Sequence, residues 1–301
     1  MKKVIFDCDN TMGVRDCDVD DGLALIYLLG KENIELCGIT TTYGNSDIDR
    51  VYANTSAMLR ELGCDEIPLL KGCPDRDSLT SDAAEFLCQM VKTYPGKISI
   101  LATGSLTNLY AAYLKDNSFF RHVREIVLMG GITEELIING QVLPELNFSC
   151  DPVAADTVLH LAHNLTIITG NNCLPAFFSF EQFEQKLAKA DKPIARYILN
   201  KCNYWFANMR QRFDLDGFHN WDVVAAAYLA EPGLFINHLR SIGRNKKKLE
   251  RGLLDLRSKE EGCSLINLPE IADPGLFAED VYNSWLQAGL KTNIIETNIN
   301  I

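Results

Sequence analysis

The chain has 301 residues, of which 47% are hydrophobic and 23% charged, a composition typical of a globular protein with a large core. Its net charge of −11 argues against a nucleic-acid-binding surface. No apolar stretch approaches the roughly 18–20 residues that a membrane-spanning helix needs, so we expect no membrane segment.

Ten cysteines are scattered along the chain without a Cys-x-x-Cys pair, and several lie in apolar runs. This pattern favours reduced core thiols over disulfides or zinc ligands. The N-terminal Met1-Lys2-Lys3 precedes only three apolar residues, which are too few for a secretory signal. We therefore predict a soluble, cytoplasmic protein.

Four aspartates stand close together near the N-terminus. Asp7 and Asp9 end a predicted strand at residues 4–6, and Asp20 and Asp21 begin a predicted helix at residues 20–29. Carboxylates crowded at a buried strand end repel one another unless a cation compensates them or they hold protons. The pattern predicts a site for a hard divalent cation. The alternative is that the second pair only caps the helix, where acidic residues suit the helix dipole.

The first two thirds of the chain alternate strand-like and helix-like segments. This alternation predicts an α/β fold with a Rossmann-like core, an open and mostly parallel sheet flanked by helices. The later strands are predicted at residues 35–40, 67–70, 98–102, 125–129 and 165–169. The helices between them are predicted at residues 48–62, 81–93, 106–114 and 152–161.

Polar or glycine-rich turns follow four of the predicted strands. Parallel sheets place their active sites beyond the C-terminal strand ends, so these turns predict one shared site. The turns are Asp7 with Asp9, residues 40–45, Thr103-Gly104 and Met129-Gly130-Gly131.

Beyond about residue 175 the pattern is mostly helical. Residues 236–256 are typical of a hairpin whose turn holds the basic run 244–248, and residues 291–301 are polar and expected to be loosely held. No internal repeat or linker is visible, so we predict a single domain over 1–301. It would have an α/β core at about 1–175 and helical and hairpin additions at about 176–301. The predicted helices in the second part are residues 180–187, 194–212, 220–229 and 278–288.

One family resemblance rests on a short motif. Residues 4–11, Val-Ile-Phe-Asp-Cys-Asp-Asn-Thr, are similar to the opening of haloacid-dehalogenase-like phosphatases. In that alternative, Asp7 is the nucleophile and Asp9 the acid/base of an Asp7-x-Asp9-x-Thr11 motif, with magnesium as partner. That fold also needs a later acidic pair, and no Gly-Asp pair follows Asp21.

A second resemblance extends over almost the whole chain. Asp7-x-Asp9 and Asp20-Asp21-Gly22-Leu23-Ala24-Leu25 resemble the N-terminal signature of the nucleoside hydrolases, the inosine–uridine-preferring family. Six further blocks follow in the family's order. They are residues 40–45 (Thr-Thr-x-x-Gly-Asn), 103–109 (Thr-Gly-x-Leu-Thr-Asn-Leu), 129–131 (Met-Gly-Gly), 139–148 (Asn-Gly…Pro-Glu-Leu-Asn-Phe), 151–155 (Asp-Pro-x-Ala-Ala) and 221–228 (Trp-Asp…Ala-Ala-Tyr).

The resemblance implies hydrolysis of the N-glycosidic bond of ribonucleosides to ribose and free base, by a water that calcium activates. Its metal ligands would be the carboxylates of Asp9, Asp21 and Asp222 and the backbone carbonyl of Thr103. Asp9 would also act as the general base. Asp222 has a structural interpretation too, as a charge at a helix N-terminus.

The resemblance also assigns the sugar contacts. Asp20 and Asn147 would hold the 2′- and 3′-hydroxyls, and Asn139 and Glu145 the 5′-hydroxyl. Asn45 would order the attacking water. Asn and Glu are also routine in turn-rich segments such as 139–147, so a structural role stays open for these residues.

Two departures from the family bear on substrate choice. Ten residues, 10–19, separate Asp9 from Asp20 where the family has three, so we expect a loop at the mouth of the site. Trp221 stands where one branch has histidine, which resembles the purine-preferring branch, although no second tryptophan stands in residues 70–84 as it does there. Both Asp16 and Asp18 lie in the inserted loop and are open candidates for the metal site.

The leaving base would be handled by Trp221, through stacking, with His219 as an alternative general acid. A core position for Trp221 and a structural role for His219 are the competing interpretations. Three residues of the helix 194–212 are further candidates to line the base pocket: Tyr204, Trp205 and Arg212.

The resemblance implies a small-molecule nucleoside as the partner and a place in nucleoside metabolism and purine salvage. A homo-oligomer, dimer or tetramer, is expected. A non-catalytic nucleoside binder that kept the metal site is the remaining alternative to hydrolysis.

Overall fold

The computed structural model describes residues 1–257 and 262–289. Its strands are β1 (Lys2–Cys8), β2 (Ile34–Thr41), β3 (Leu69–Leu70), β4 (Ile98–Ala102), β5 (Glu125–Met129), β6 (Ile137–Ile138), β7 (Gln141–Val142), β8 (Leu165–Ile168), β9 (Phe177–Ser179), β10 (Gly217–His219), β11 (Phe235–Ile236), β12 (Leu239–Ile242), β13 (Leu256–Arg257), β14 (Ser264–Asn267) and β15 (Glu270–Ile271).

Helices cover the sheet and build the second half of the chain. They are α1 (Asp20–Leu29), α2 (Ile48–Leu62), α3 (Asp82–Thr93), α4 (Thr107–Lys115), α5 (Phe119–His122), α6 (Pro152–Leu161), α7 (Gly170–Cys173), α8 (Phe180–Lys189), α9 (Pro193–Phe213), α10 (Trp221–Ala230), α11 (Lys246–Leu249) and α12 (Pro274–Gln287), with a 3₁₀ turn at Pro232–Leu234. No helix among the described residues is long and apolar enough to cross a lipid bilayer.

Nine of the described strands form one open sheet in the order β13-β12-β14-β8-β5-β4-β1-β2-β3. From β14 to β3 the neighbouring strands run parallel, and only β12 pairs antiparallel, with β13 and with β14. Strand β4 is buried along its whole length, as expected for a strand covered on both faces by helices. The predicted α/β fold with an open, mostly parallel sheet is confirmed.

The site-forming strands meet in the middle of this sheet. Strand β1 lies between β2 and β4, so the chain leaves β1 toward one side and later returns on the other. The backbone continues the pairing just past the strand ends, because Thr42 N–H donates to the Cys8 carbonyl and Thr103 N–H to the Asp7 carbonyl, each at 2.9 Å. Open α/β sheets bind ligands at such a switch point.

Helices α1 and α10 are buried almost all round and pack against each other. Their sequences are nearly continuous runs of Leu, Ala, Val and Ile, which suits helices without a solvent face. The indole Nε1 of Trp285 in α12 donates to the Leu23 carbonyl at 2.9 Å and ties the C-terminal helix to α1. Both α1 and α10 carry aspartates in their first turn, so their packing brings acidic N-termini together.

Most predicted elements of the first two thirds are present, and five have the predicted bounds: Asp20–Leu29, Ile48–Leu62, Ile98–Ala102, Glu125–Met129 and Pro152–Leu161. The predicted and observed ends of an element agree where a local sequence signal, such as a capping residue, marks the end. Helix α2, for example, begins after Asp47, whose side chain accepts from Arg50 N–H, and ends at Gly63 with φ of 67°.

Two predictions in the second part of the chain and one in the first part need correction. The basic run was expected in a hairpin turn, but Lys246–Leu249 is a short helix, because the Asn245 side chain accepts from Lys248 N–H and caps it. The last helix begins at Pro274, earlier than predicted, where the Asp273 side chain caps two backbone N–H groups. The strand predicted at 67–70 is confined to Leu69–Leu70. The prediction for residues 291–301 lies outside the described residues.

Candidate active site

A cavity of about 530 Å³ opens at the C-terminal ends of the central strands. Its lining residues form an acidic and polar group, called here the polar side, and an apolar and aromatic group, called here the apolar or aromatic side. The polar side includes Asp18, Asp20, Asn45, Thr103, Glu145, Asn147 and Asp222. The apolar side includes Met129, Leu136, Trp205, Met209, Phe213, Phe218 and Trp221. A polar group and a flat apolar group both fit such a cavity.

The floor of the polar side is a cluster of buried carboxylates. Asp20, Asp21 and Asp222 each present one carboxylate oxygen within 4.8 Å of the others, and all three residues are buried. Asp20 and Asp21 come from the first turn of α1 and Asp222 from the first turn of α10. Asp222 N–H also donates to Asp20 Oδ2 at 3.3 Å, which links the two helix ends.

Burial raises the pKa of every carboxyl group in this cluster. The pKa of Asp20 rises to about 6, and the pKa values of Asp21 and Asp222 rise well above the usual range. After burial, the largest influences on Asp21 and Asp222 are neighbouring aspartates, which raise the pKa further. Helix N-termini offset only part of this repulsion. A cation in the cluster would stabilise the ionised groups.

Asp9 is fully buried beside this cluster, does not itself line the cavity, and is connected to the cluster by Asn45, which does line it. Asn45 N–H donates to Asp9 Oδ2, and the Asn45 side-chain amide lies 3.5 Å from Asp9 Oδ1 and 3.4 Å from Asp21 Oδ2. Burial raises the pKa of Asp9 to about 6, which is close to neutral pH. A carboxylate whose pKa is raised toward neutral accepts a proton more readily than a carboxylate of ordinary pKa does.

Glycines explain how Asp9 fits into its turn. A Cβ atom on Gly44 would overlap Asp9 Oδ2, and one on Gly104 would lie 3.1 Å from Asp9 Cγ. The two turns that follow β2 and β4 can approach the carboxylate only because these positions lack a side chain. The glycines of the two sequence blocks therefore serve the geometry of the site.

Thr103 joins the site from the C-terminal end of β4, and Asn147 joins it from the loop between β7 and α6. Thr103 Oγ1 donates to Asp21 Oδ1 at 2.6 Å, and the Asn147 amide donates to the Thr103 carbonyl at 2.8 Å and to the Met129 carbonyl at 3.0 Å. The Thr103 carbonyl keeps a second lone pair for another partner. Thus the residues predicted from the Thr-Gly and Glu-Leu-Asn blocks lie together with the aspartates.

The two residues predicted for the 5′-hydroxyl are differently placed. Glu145 lines the cavity, and its carboxylate accepts backbone N–H bonds from Gly131, Phe148 and Ser149. Asn139 is not among the residues that line the cavity. Its amide donates to the carbonyl of Phe213 at 2.9 Å and to that of Asp214 at 3.2 Å.

The aromatic side of the cavity is built around Trp221 and His219. The two rings lie 5.2 Å apart between centroids, and both residues are partly exposed to the cavity. Burial lowers the pKa of His219 to about 4, so the imidazole is neutral at pH 7. His219 Nδ1 is buried without a hydrogen-bond partner among the described residues.

No second tryptophan stands in residues 70–84, but Trp205, one of the three candidates on the helix 194–212, lines the cavity together with Trp221. Trp205 of α9 lines the same cavity and is 5% exposed, and Arg212 of this helix lines it as well. Tyr204 is not among the lining residues and instead contacts the loop before α1. The helical spacing of 205, 209 and 212–213 would have indicated one shared face.

The inserted residues 10–19 form a loop at the mouth of the cavity, as predicted. Asp16, Cys17 and Asp18 line its rim. The carboxyl groups of Asp18 and Asp20 are in hydrogen-bond contact, which adds a further acidic group to the polar side.

Asp7, the nucleophile of the phosphatase alternative, lies behind the site. It has no exposed surface, its Oδ1 accepts from Thr40 and Asn108, and it does not line the cavity. Burial raises the pKa of Asp7 to about 7. A nucleophile must reach its substrate, so this position does not suit the phosphatase motif.

Comparison with known proteins agrees with the motif order. Residues 4–266 match the family described as inosine-uridine preferring nucleoside hydrolase. The chain is 30% identical over 250 residues to uridine nucleosidase 1 of Arabidopsis thaliana, covering 73% of each chain. It is 25% identical to the inosine-uridine preferring nucleoside hydrolase of Crithidia fasciculata, covering 77% of this chain and 80% of that one.

A solved structure shares the fold. The purine-preferring ribonucleoside hydrolase from Gardnerella vaginalis superposes with a TM-score of 0.81 at 22% identity, covering 95% of this chain and 99% of that one.

Proposed function

Since the chain belongs to the inosine-uridine preferring nucleoside hydrolase family, we propose that it prefers purine ribonucleosides and uses calcium held by its buried aspartates. As a member of this family it is an N-glycosyl hydrolase that acts on ribonucleosides. The observation that carries the proposed purine preference and calcium site is the cavity itself, which combines an acidic cluster with two tryptophans.

The donor set fits a hard cation. Carboxylate and carbonyl oxygens are the ligands that calcium prefers, and calcium tolerates an irregular set of six to eight of them. Asp21, Asp222 and the Thr103 carbonyl would hold the ion together with Asp9, which lies beside the carboxylate cluster, and Asp20, the third member of that cluster, lies close enough to contribute. When bound, the ion would lower the pKa of a water and attract the sugar diol.

Asp9 would take the proton of the attacking water. Burial raises its pKa to about 6 in the absence of a cation, so it is a stronger base than an ordinary aspartate. Asn45 would order this water, because its side-chain amide lies between Asp9 and Asp21. The water oxygen then bonds to C1′ of the sugar, and the N-glycosidic bond breaks with its electron pair leaving on the base.

The sugar would lie on the polar side. Asp20 and Asn147 both line the cavity and would hold the 2′- and 3′-hydroxyls. Glu145 has lone pairs left for the 5′-hydroxyl beyond the three backbone bonds that fix it. Asn139 would reach the same hydroxyl only after releasing the Phe213 and Asp214 carbonyls.

The base would lie on the aromatic side, against Trp221. A stacked indole stabilises a larger ring more than a smaller one, and base–aromatic stacking is worth about 1–3 kcal/mol. Because its pKa is lowered to about 4, His219 would be neutral at pH 7. It would therefore contact the base as a neutral hydrogen-bond partner, and little of it would be protonated and able to act as a general acid. Trp205 gives the pocket a second large aromatic wall.

The test is a panel of inosine, adenosine, guanosine, uridine and cytidine, scored for free ribose. We expect kcat/KM for inosine to exceed that for uridine. Relatives named uridine nucleosidases make uridine the competing substrate. Faster hydrolysis of uridine would overturn the purine preference and leave the family's activity standing.

A further inference from the structure

Residues 10–19 of the loop between β1 and α1 form hydrogen bonds among themselves and also with helices α2 and α9. Two of its residues, Gly13 and Asp16, have φ of 90° and 66°, and a left-handed aspartate is an uncommon conformation that surrounding contacts must maintain. Within the loop, Val14 N–H donates to the Thr11 carbonyl and Cys17 N–H to the Val14 carbonyl. These two turns leave its position relative to the cavity to other contacts.

One hydroxyl of α9 binds both halves of this loop. Gly13 N–H donates to the Tyr204 hydroxyl at 3.3 Å, and the same hydroxyl donates to the Cys17 carbonyl at 3.0 Å. One turn further along α9, the Asn208 amide lies 3.4 Å from Asp16 Oδ1. Tyr204 thus fixes the segment that leads directly into Asp18.

Asp18 is the loop residue placed closest to the proposed sugar site. It lines the cavity, and its carboxyl group contacts that of Asp20. Asp18 Oδ1 accepts from Val19 N–H at 2.7 Å, and Thr11 Oγ1 donates to the Asp18 carbonyl at 3.0 Å, so the residue is fixed at both ends. A carboxyl group forms hydrogen bonds with a hydroxyl whether it is ionised or protonated, and the sugar hydroxyls are the groups of a nucleoside that would lie beside Asp20.

We propose that the β1–α1 loop is a wall of the substrate site, that Asp18 contacts a hydroxyl of the ribose diol, and that Tyr204 is the positioning residue that holds Asp18 there. This inference rests on the proposed function, since it names a sugar contact of that same site. It explains why the chain carries ten residues between Asp9 and Asp20 and a tyrosine on the facing helix.

The test is a double-mutant cycle of Tyr204→Phe and Asp18→Asn, measured as kcat/KM on the best ribonucleoside of the panel. Each single variant should lose about tenfold, the equivalent of one or two hydrogen bonds. If Tyr204 acts through Asp18, the double variant should stay within about twofold of Asp18→Asn alone. Losses that multiply would overturn the coupling.

Tyr197→Phe is the matched control. Tyr197 lies two turns earlier on α9, and its hydroxyl donates to Glu61 Oε2 at 2.8 Å, so the change removes a similar bond away from the loop. It should leave kcat/KM within about twofold of wild type. In hydrogen exchange, the Gly13 amide should exchange faster in Tyr204→Phe and at the wild-type rate in Tyr197→Phe.

A second arm does not depend on the tyrosine variants. Asp18→Asn should reduce the preference for a ribonucleoside over its 2′-deoxy or 3′-deoxy analogue, and the analogue affected identifies the hydroxyl. Unchanged preference for both analogues would overturn the sugar contact. A wild-type protein that turns over no nucleoside would reject the proposed function and this inference together. An active wild type with an unaffected Tyr204→Phe would reject the inference alone.

Discussion

Each aspartate of the cluster is buried at a helix N-terminus or strand end, where its neighbours are other carboxylates. Replacing Asp21 by Asn keeps the shape and removes one charge, so calcium affinity should fall by about tenfold or more. Calorimetric titration measures this. Asp255→Asn is the control, because Asp255 is a buried carboxylate that pairs with Lys248 and Arg257 instead. Wild-type affinity in Asp21→Asn would remove Asp21 from the ligand set.

The indole of Trp221 should determine how much the base contributes to turnover. Trp221→Ala should lower kcat/KM for inosine by roughly 5- to 150-fold, the range that about 1–3 kcal/mol of stacking implies, and for uridine by less. Trp221→Phe keeps an aromatic face and should recover most of the loss. Equal losses on both nucleosides would show that the indole does not discriminate between bases.

His219 should make the fold sensitive to acid. Burial lowers its folded-state pKa to about 4 from an ordinary 6.5, so between these values the unfolded chain binds more protons. Stability contributed by neutral His219 is therefore lost as pH falls through this window. From pH 7 to pH 5, wild type should lose up to about 2 kcal/mol more than His219→Asn in urea unfolding. Parallel pH profiles for the two proteins would contradict this.

At the scale of elements, the turn after β2 is fitted to the aspartate after β1. An alanine methyl at Gly44 would overlap Asp9 Oδ2, so Gly44→Ala should displace Asp9 and reduce kcat by about tenfold or more. Gly233→Ala is the control, since a methyl there meets nothing within 4 Å. Steady-state kinetics with circular dichroism separates loss of activity from loss of fold. Wild-type kcat in Gly44→Ala would mean that the turn moves to accommodate the methyl group without displacing Asp9.

Sequence patterns predicted those elements whose signals are local. Helix α2 has an aspartate cap, an amphipathic face and a terminal glycine, and its predicted bounds are confirmed. Strands Phe177–Ser179 and Gly217–His219 were missed, because they pair with each other across about 40 residues and carry no alternating pattern of their own. Yet this pair of strands positions His219, which lies two residues before Trp221 and three before Asp222.

The site was predictable to a similar degree. The aspartates, Asn45, Thr103, Glu145 and Asn147 come from motif blocks at strand and helix ends, and the structure brings them together. Tyr204, Trp205 and Arg212 were predicted as candidates on one long helix, but only tertiary packing decides that Trp205 and Arg212 line the cavity and Tyr204 does not. The predicted homo-oligomer, cytoplasmic location and single domain stay predictions.

At the scale of the whole molecule, the sheet and two buried helices combine into one site with clustered carboxylates, which we propose are held ionised by a cation. The most direct measurement is ribose release from the best nucleoside after chelator treatment, followed by calcium titration. The rate should fall to near zero on chelation and rise to a plateau as calcium is restored. An unchanged rate in protein shown to be free of metal would contradict a metal-dependent hydrolase.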